Sequence, residues 1–239
     1  MSRKKHDTAA GLKADLHLHT CEGPREAFLS YDSFQIIDTA MQQGYDVCAI
    51  TNHDTVTWSS YLSDYARERG ILLIPGIEIT LDRKHILAYS TEPESLCRST
   101  LEGLHEANDR NTLYIAPHPF FPGPSSLGSK LFAWRTLFDA VEVCHLYLSF
   151  LNFNQKAIAA AGTLGLPLVG TSDAHTMQQL GTTYARIFAE KDPASLIEAV
   201  KAGAVDVVTE PLSPARMAGI VLELCGRAVV YKLRTGKTR

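Results

Sequence analysis

The sequence predicts an α/β protein in which a mainly parallel sheet of about seven strands closes into a distorted barrel. Short apolar runs alternate with helical patterns along the chain, which favours repeated strand–helix–strand units. The strands are apolar almost throughout, as is typical of a parallel sheet with both faces covered. The length of 239 residues is sufficient for such a barrel. A doubly wound open sheet is the alternative fold.

Apolar runs bounded by turn residues predict the strands, and amphipathic segments that stop at glycine predict several helices. The gap between residues 80 and 84 is too short for a helical crossover, so the two runs that flank it form an antiparallel pair or one bent strand. The predicted strands, with the loops that follow them, cover residues 14–20, 45–54, 71–80, 84–90, 112–119, 138–147 and 166–175, with 182–190 as the last. The predicted helices cover residues 31–44, 59–70, 99–111, 153–165, 192–203 and 213–233.

Composition indicates an ordinary globular protein, with 45% hydrophobic and 21% charged residues. The net charge of -3 is too small to indicate a nucleic-acid or membrane partner. Five scattered cysteines without a C-x-x-C pair favour a reducing compartment. The polar N-terminus lacks the apolar segment of a signal peptide, so we predict a cytoplasmic protein. We expect one domain over 1–239, with a flexible tail at 1–12 and a closing helix and basic tail at 210–239.

Residues with lone pairs end nearly every predicted strand. His17 and His19 are two apart on the first strand, so both rings lie on one face and can chelate one divalent ion. Asp15 shares that face and is expected to hold one imidazole N–H. Asp173 and His175 repeat this spacing after the strand that begins at residue 166. Because the carboxyl ends of parallel strands open on one face of a barrel, these residues are expected to converge.

Glu78 is the most informative single residue, because it interrupts the otherwise apolar strand ILLIPGIEI. An unpaired buried carboxylate is costly, and a metal ion removes that cost. His118 lies between two prolines, which stiffen the backbone around a ligand. His85 and His145 lie within strands, where a histidine of the core is nearly as plausible as a site residue. His6 and His105 have no supporting context and are assigned to the surface.

Six motifs follow one another along the chain: DLHLHT, ITNHDT, GIEIT, HILAY, APHP and GTSDAH. Together they resemble the PHP (polymerase and histidinol phosphatase) family of metal-dependent phosphoesterases, over residues 14 to about 182. The resemblance implies a distorted (β/α)7 TIM-like barrel with a trinuclear metal site at the carboxyl ends of the strands. It assigns His17, His19, Glu78 and Asp173 to the first ion, His53 and His175 to the second, and Glu78, His85 and His118 to the third.

The sequence departs from the family pattern in two places. An aspartate ligand that many members carry after the first motif is missing, and Glu22 is the nearest substitute, with Glu26 as another. The arginine that often follows the His-Pro step and grips phosphate is also missing. Its role is assigned to one of four basic residues: Arg25, Arg83, Lys84 or Arg135.

The predicted activity is hydrolysis of a phosphate mono- or diester by a hydroxide shared between metal ions, with two or three Zn, Mn or Fe ions per chain. Asp54 and His145 are predicted to provide acid–base catalysis. The expected partner is a small phosphorylated substrate or a nucleotide, with no membrane and no stable nucleic-acid binding. Alternatives are an amide or lactone hydrolase on the same cluster, a non-catalytic module stabilised by metal, and lipid or partner binding by the C-terminal helix.

Overall fold

The computed structural model of the protein describes residues 11–96, 100–108 and 110–236. Most of the predicted N-terminal tail, His6 and the last three residues lie outside the described residues. Leu12, which we assigned to the tail, already pairs with Ile187 in the first strand. Within the described residues, no helix is both long enough and apolar enough to cross a membrane.

Nine strands of the described residues form one sheet that curls into a nearly closed barrel, in the order β7-β6-β5-β4-β3-β2-β1-β8-β9. The barrel is nearly closed because the segment after β7 pairs with the end of β1: the N–H of His19 donates to the carbonyl of Ala174 (3.1 Å), and the N–H of Ala174 donates to that of His17 (3.2 Å). The strands are β1 Leu12–Leu18, β2 Val47–Ile50, β3 Leu72–Leu81, β4 Lys84–Ser90, β5 Thr112–Ala116, β6 Ala140–Cys144, β7 Leu168–Thr171, β8 Thr183–Ile187 and β9 Val205–Thr209.

In the described part of the chain, seven α-helices connect or follow the strands, and short polar residues begin most of them. Asp32 and Gln35 form a capping box at the start of the first helix, and Asp192 and Ser213 cap helices that have proline in the first turn. The helices are α1 Ser33–Gln42, α2 Ser60–Glu68, α3 Leu101–Glu106, α4 Lys130–Ala133, α5 Asn154–Leu164, α6 Pro193–Lys201 and α7 Pro214–Thr235.

The sheet is less parallel than the sequence predicts. β3 and β4 form an antiparallel hairpin, which decides between the two readings of that segment, and β4 is also antiparallel to β5. β8 is antiparallel to β1 and is not the last strand, because β9 follows it and pairs with it. The prediction missed β9 because VDVVT is a half-exposed edge strand of five residues, and it missed α4 because that helix has only four residues.

Apolar side chains on the strands and helices bury the core in three clusters. One joins Leu16, Ile74 and Leu87 of the strands to Leu196 of α6. A second lies between β2 and the helices α1 and α2. A third lies between β4–β6 and the helices α3 and α5. This packing holds the strand ends rigidly, and those ends carry the polar residues described below.

Candidate metal centre

Glu78 on β3 is the centre of the polar cluster. Its side chain is 1% exposed, and the strand around it is apolar. Three imidazoles surround one carboxylate oxygen: Glu78 Oε2 lies 3.0 Å from Nε2 of His53, 3.3 Å from Nε2 of His19 and 3.4 Å from Nε2 of His17. Burial raises the cost of a charge on this carboxylate, so its neighbours must compensate for it.

The other oxygen of Glu78 lies between two further histidines. Oε1 is 2.7 Å from Nδ1 of His85 and 3.3 Å from Nε2 of His118. His85 reaches this point because β4 is antiparallel to β3, so that the start of β4 lies beside the carboxyl end of β3. The hairpin therefore places a residue from the beginning of a strand at the face where parallel strands end.

Asp173 closes the cluster from the loop after β7. Its Oδ1 lies 3.3 Å from Nε2 of both His17 and His19. Its backbone has a φ of 46°, a conformation that is uncommon for residues other than glycine and is found at functional loops. The ring of His175 stacks on that of His19 with 4.2 Å between their centroids, and its Nδ1 lies 3.4 Å from Asp173 Oδ1. These eight residues, His17, His19, His53, Glu78, His85, His118, Asp173 and His175, are called the histidine–carboxylate cluster below.

Two buried carboxylates contact the imidazoles at the ring nitrogens that do not face Glu78. Glu142 on β6 lies 2.6 Å from Nδ1 of His17 and accepts the backbone N–H of His118 at 2.5 Å. Glu26 contacts Nδ1 of His53 and lies 3.6 Å from Nδ1 of His19. A carboxylate on Nδ1 fixes the tautomer in which Nε2 presents its lone pair.

Gln179 supports the loop that carries Asp173 and His175. Its amide nitrogen donates to the carbonyl of Asp173 (3.0 Å) and to Nε2 of His145 (2.8 Å), while its amide oxygen accepts the backbone N–H groups of His175 (2.9 Å) and Thr176 (2.8 Å). All four hydrogen-bonding positions of the side-chain amide are therefore satisfied inside the protein. Burial lowers the pKa of His145 to about 4, so its ring is neutral and can accept this bond.

The charges of the cluster shift the pKa values of its members strongly. Burial disfavours the ionised form of Glu78, but the imidazoles of His53, His17 and His85 outweigh it and hold the pKa of that carboxyl well below its usual range. Burial likewise opposes protonation of His19, but the carboxylates of Asp173, Glu26 and Glu78 raise its pKa to about 10. In the absence of metal, these carboxylates therefore favour the protonated ring of His19, and a metal ion competes with that proton.

The residues fit divalent metal ions. His17 Nε2, His19 Nε2, Glu78 Oε2 and His85 Nδ1 are buried and have no hydrogen-bond partner among the described residues, in spite of their short distances to one another. Imidazole nitrogen with carboxylate oxygen suits Zn, Mn or Fe. Three sets of donor atoms lie within 4.8 Å of one another: His17, His19 and Asp173; His19, His53 and Glu78; and Glu78, His85 and His118.

A cavity of about 860 Å³ opens beside the cluster. Its floor includes Glu78, His85 and Asp173, and Arg25 lies at its side. α7 forms one wall through Ala228, Val229, Tyr231 and Lys232. Pockets for small organic ligands measure about 300–1,000 Å³, so the cavity is large enough for an organic molecule and not only for a phosphate ion.

Comparison with known proteins agrees with this architecture. A family model described as PHP-associated matches residues 152–205. An uncharacterised protein from Methanocaldococcus jannaschii is 30% identical over 144 residues, which is 57% of this chain and 83% of the relative. A two-domain protein from Bacteroides vulgatus, described as containing a predicted PHP-like metal-dependent phosphoesterase, superposes with a TM-score of 0.64 at 20% identity, over 94% of this chain and 74% of that one.

The chain belongs to the PHP family. A further relative by sequence is a phosphoribosyl 1,2-cyclic phosphate 1,2-diphosphodiesterase from Eggerthella lenta, 32% identical over 103 residues, which is 38% of this chain and 37% of that enzyme. The likeness to the solved structure concerns the fold alone. In this chain, the polar cluster lies at one mouth of the barrel. The motifs read from the sequence fall on that mouth.

Within this PHP barrel, the structure brings together all the predicted metal ligands except Glu22. The side chain of Glu22 points to the start of α1, where it accepts the backbone N–H of Ser33 at 2.8 Å. Glu26 takes the place beside His53 instead, because Gly23 allows its carboxylate to fold back: a Cβ on Gly23 would lie 1.9 Å from Glu26 Oε2. Asp15 also differs from expectation, since it accepts backbone N–H groups of His17 and Ser172 and not an imidazole.

The described residues that line the cavity do not include the two predicted acid–base residues. Asp54 uses both carboxylate oxygens, one for the N–H of Thr80 (2.7 Å) and one for Nη1 of Arg25 (3.0 Å). His145 is completely buried behind Gln179, although the residues before and after it line the cavity. Both residues hold other parts of the site in place, and their acid–base roles stay predictions.

Of the basic residues assigned to phosphate, Arg25 alone lines the cavity, where Asp54 and the hydroxyl of Thr80 hold its guanidinium. Lys84 donates to the carbonyls of Pro124 and Ser126 at 2.7 Å each, so its ammonium fastens the loop after β5. Arg83 lies in the turn between β3 and β4, and Arg135 is exposed after α4. His105 is exposed on α3, where the sequence placed it.

Sequence reasoning missed Glu142 and Gln179, which support the cluster, and Lys232, which lines the cavity. Glu142 carries the signal that identified Glu78, a carboxylate inside an apolar strand, here AVEVC. Gln179 and Lys232 carry no comparable signal, because a glutamine in a loop and a lysine at a helix end are ordinary surface residues. Their roles depend on tertiary contacts that local sequence does not reveal.

Proposed function

We propose that the protein is a metal-dependent phosphoesterase that hydrolyses a phosphate mono- or diester of a small organic molecule or nucleotide. The observation that carries the proposal is Glu78, a buried carboxylate on the floor of a cavity among five imidazoles. Three of these imidazoles, His17, His19 and His85, have a buried nitrogen without a hydrogen-bond partner among the described residues. The sequence similarity to a cyclic phosphate diesterase supports the choice of phosphate esters, although it spans about a third of that enzyme.

The three donor sets of the cluster would hold two or three Zn, Mn or Fe ions, with Glu78 shared between sets. When bound, such ions polarise phosphoryl oxygens and lower the pKa of water towards neutrality. Glu142 and Glu26 keep the imidazoles of His17 and His53 in the orientation that presents a nitrogen lone pair. Gln179 keeps Asp173 and His175 at the mouth of the barrel.

Arg25 orients the phosphate of the substrate. Its Nη1 is fixed by Asp54 and Thr80, and its other N–H groups have no partner among the described contacts. Thr80 is two residues after Glu78, and Asp54 follows His53, so the guanidinium is held by the same segments that carry the cluster. A guanidinium fixed in this way matches two oxygens of a phosphate.

The test combines metal analysis with a substrate panel. Purified wild-type protein is expected to contain two or three transition ions per chain and to hydrolyse 4-nitrophenyl phosphate or bis(4-nitrophenyl) phosphate. Chelation should abolish this activity, and Mn²⁺ or Zn²⁺ should restore it. His17→Ala should lose metal and activity, whereas His105→Ala, a change at an exposed histidine on α3, should keep both.

Three outcomes would overturn the proposal. His17→Ala could retain the metal content and turnover of the wild type. The chelated protein could hydrolyse the esters at the full rate. The metal-loaded protein could hydrolyse amides or lactones in the panel and leave every phosphate ester intact, which would assign the cluster to the other class of hydrolase.

A further inference from the structure

The wall that α7 adds to the cavity contains a cation that the proposed chemistry does not use. Lys232 lines the cavity from the last turn of α7. Among the described residues, its ammonium makes no ion pair or side-chain hydrogen bond. Among the described residues, Arg25 and Lys232 are the arginine and lysine side chains that line the cavity. They come from opposite ends of the chain and are held by different elements.

Specific contacts hold α7 in its position over the barrel. Arg216, in its first turn, donates to the carbonyls of Gln178 and Leu180, which flank the residue that supports Asp173 and His175. Leu224 and Tyr231 pack against the apolar cluster around α1 and α2. The helix is thus anchored at its start and along its length, so the segment that carries Lys232 is held at the cavity.

The remaining walls of the cavity are mainly apolar and aromatic. They include Phe28, Phe121, Leu146, Val229 and Tyr231. Phe121 is itself in contact with Phe153, with 5.5 Å between the ring centroids. Such walls favour an organic body with apolar or aromatic surface over a fully polar sugar.

We infer that Lys232 is a specificity-determining residue that binds a second anionic group of the substrate, which is an organic phosphate ester with an apolar or aromatic body. This inference rests on the proposed function, since it takes the scissile phosphate to lie at the histidine–carboxylate cluster beside Arg25. The cavity is larger than one phosphate needs, and its apolar walls can accept an apolar body. The ammonium of Lys232, which is unpaired among the described residues, lies on α7 at the cavity. An anion there gains a charge-assisted hydrogen bond without displacing a protein partner.

The experiment measures binding to the metal-loaded protein by calorimetry, with phosphonates that cannot be hydrolysed. Benzylphosphonate carries one anionic group, and 4-carboxybenzylphosphonate and 4-(carboxymethyl)benzylphosphonate add a carboxylate at two distances. In the wild type, at least one carboxylated probe should bind about tenfold more tightly than benzylphosphonate, and the preference should shrink with added salt. Lys232→Gln should remove the preference and leave benzylphosphonate binding unchanged.

Arg234→Gln is the matched control, since Arg234 is an exposed cation of the same helical turn that does not line the cavity. It should keep the preference. Equal binding of all three probes to the wild type, or a preference that survives Lys232→Gln, would overturn the inference and leave the proposed function standing. A preference lost in Lys232→Gln, in a protein that hydrolyses no phosphate ester, would support the subsite and reject the proposed function.

Discussion

The side-chain amide of Gln179 connects three parts of the site at the scale of single residues. It joins the backbone of Asp173 and His175 to the buried ring of His145, and each of its four hydrogen bonds is 2.8–3.0 Å long. None of these contacts touches an ion position directly. The amide therefore acts through the loop, as a residue that positions ligands.

Gln179→Leu is expected to weaken metal binding about 10- to 100-fold, the usual cost of losing a group that orients ligands. The measurement is competition with a chromophoric chelator. Gln179→Glu should be intermediate, because a carboxylate can still accept the N–H groups of His175 and Thr176 but cannot donate to Asp173. Gln178→Leu, at the exposed neighbour, is the control. Unchanged affinity in Gln179→Leu would show that the loop keeps its shape without the amide.

Asp15 makes the stability of the protein depend on pH. It is completely buried, and burial raises its pKa from 3.8 to about 6, although Ser172 and His17 donate hydrogen bonds to it. The folded state therefore retains a proton that the unfolded chain has already released. The stability that this proton provides is present below the unfolded pKa and is lost as the pH rises through the folded pKa.

Asp15→Asn keeps an oxygen that accepts the two backbone N–H groups but does not titrate. Relative to the wild type, the variant should gain roughly 2 to 3 kcal/mol of unfolding free energy between pH 4 and pH 7. Urea unfolding of both proteins in the presence of EDTA measures this difference and cancels the titration of the histidines that they share. A difference that stays constant across this range would contradict the assignment.

At the scale of elements, the sequence predicted most helices and strands, because their apolar period and capping residues are local properties. It did not decide the direction of the strands. The pattern of β4 reads the same whether the strand runs parallel or antiparallel, and the short turn at Asp82 and Arg83, both with positive φ, becomes visible only in the structure. The direction matters for the site, because it brings His85 to Glu78.

The same distinction separates the site residues that could be predicted from those that could not. His17, His19, Glu78 and Asp173 were predictable, since chelating residue types at strand ends in regular spacing are a pattern of the sequence. The choice of Glu26 over Glu22 was not, because it depends on how the loop after β1 turns at Gly23. The role of α7 likewise depends on where Arg216 docks.

At the scale of the whole molecule, the site exists because the two ends of the sheet approach each other. Gly170 on β7 faces β8 so closely that a Cβ atom there would lie 2.6 Å from the carbonyl oxygen of Tyr184 and 3.1 Å from a methyl carbon of Val207. The first of these neighbours is backbone and cannot rotate away. β7 also leads directly into Asp173 and His175, so a shift of β7 moves ligands relative to those on β1.

Gly170→Ala should therefore lower the unfolding free energy by about 1–3 kcal/mol, the usual cost of inserting a methyl group where there is no room, and should weaken metal binding at the same time. Gly162→Ala is the matched control, since Gly162 lies inside α5 with no atom near its Cβ position, and this change should raise stability by about 0.5–1 kcal/mol. Urea unfolding and chelator competition on both variants measure the two quantities. If Gly170→Ala lost stability but bound metal as tightly as the wild type, the closure of the barrel would matter for folding alone. A coupled loss would tie the metal centre to the seam where β7 approaches β8 and β9.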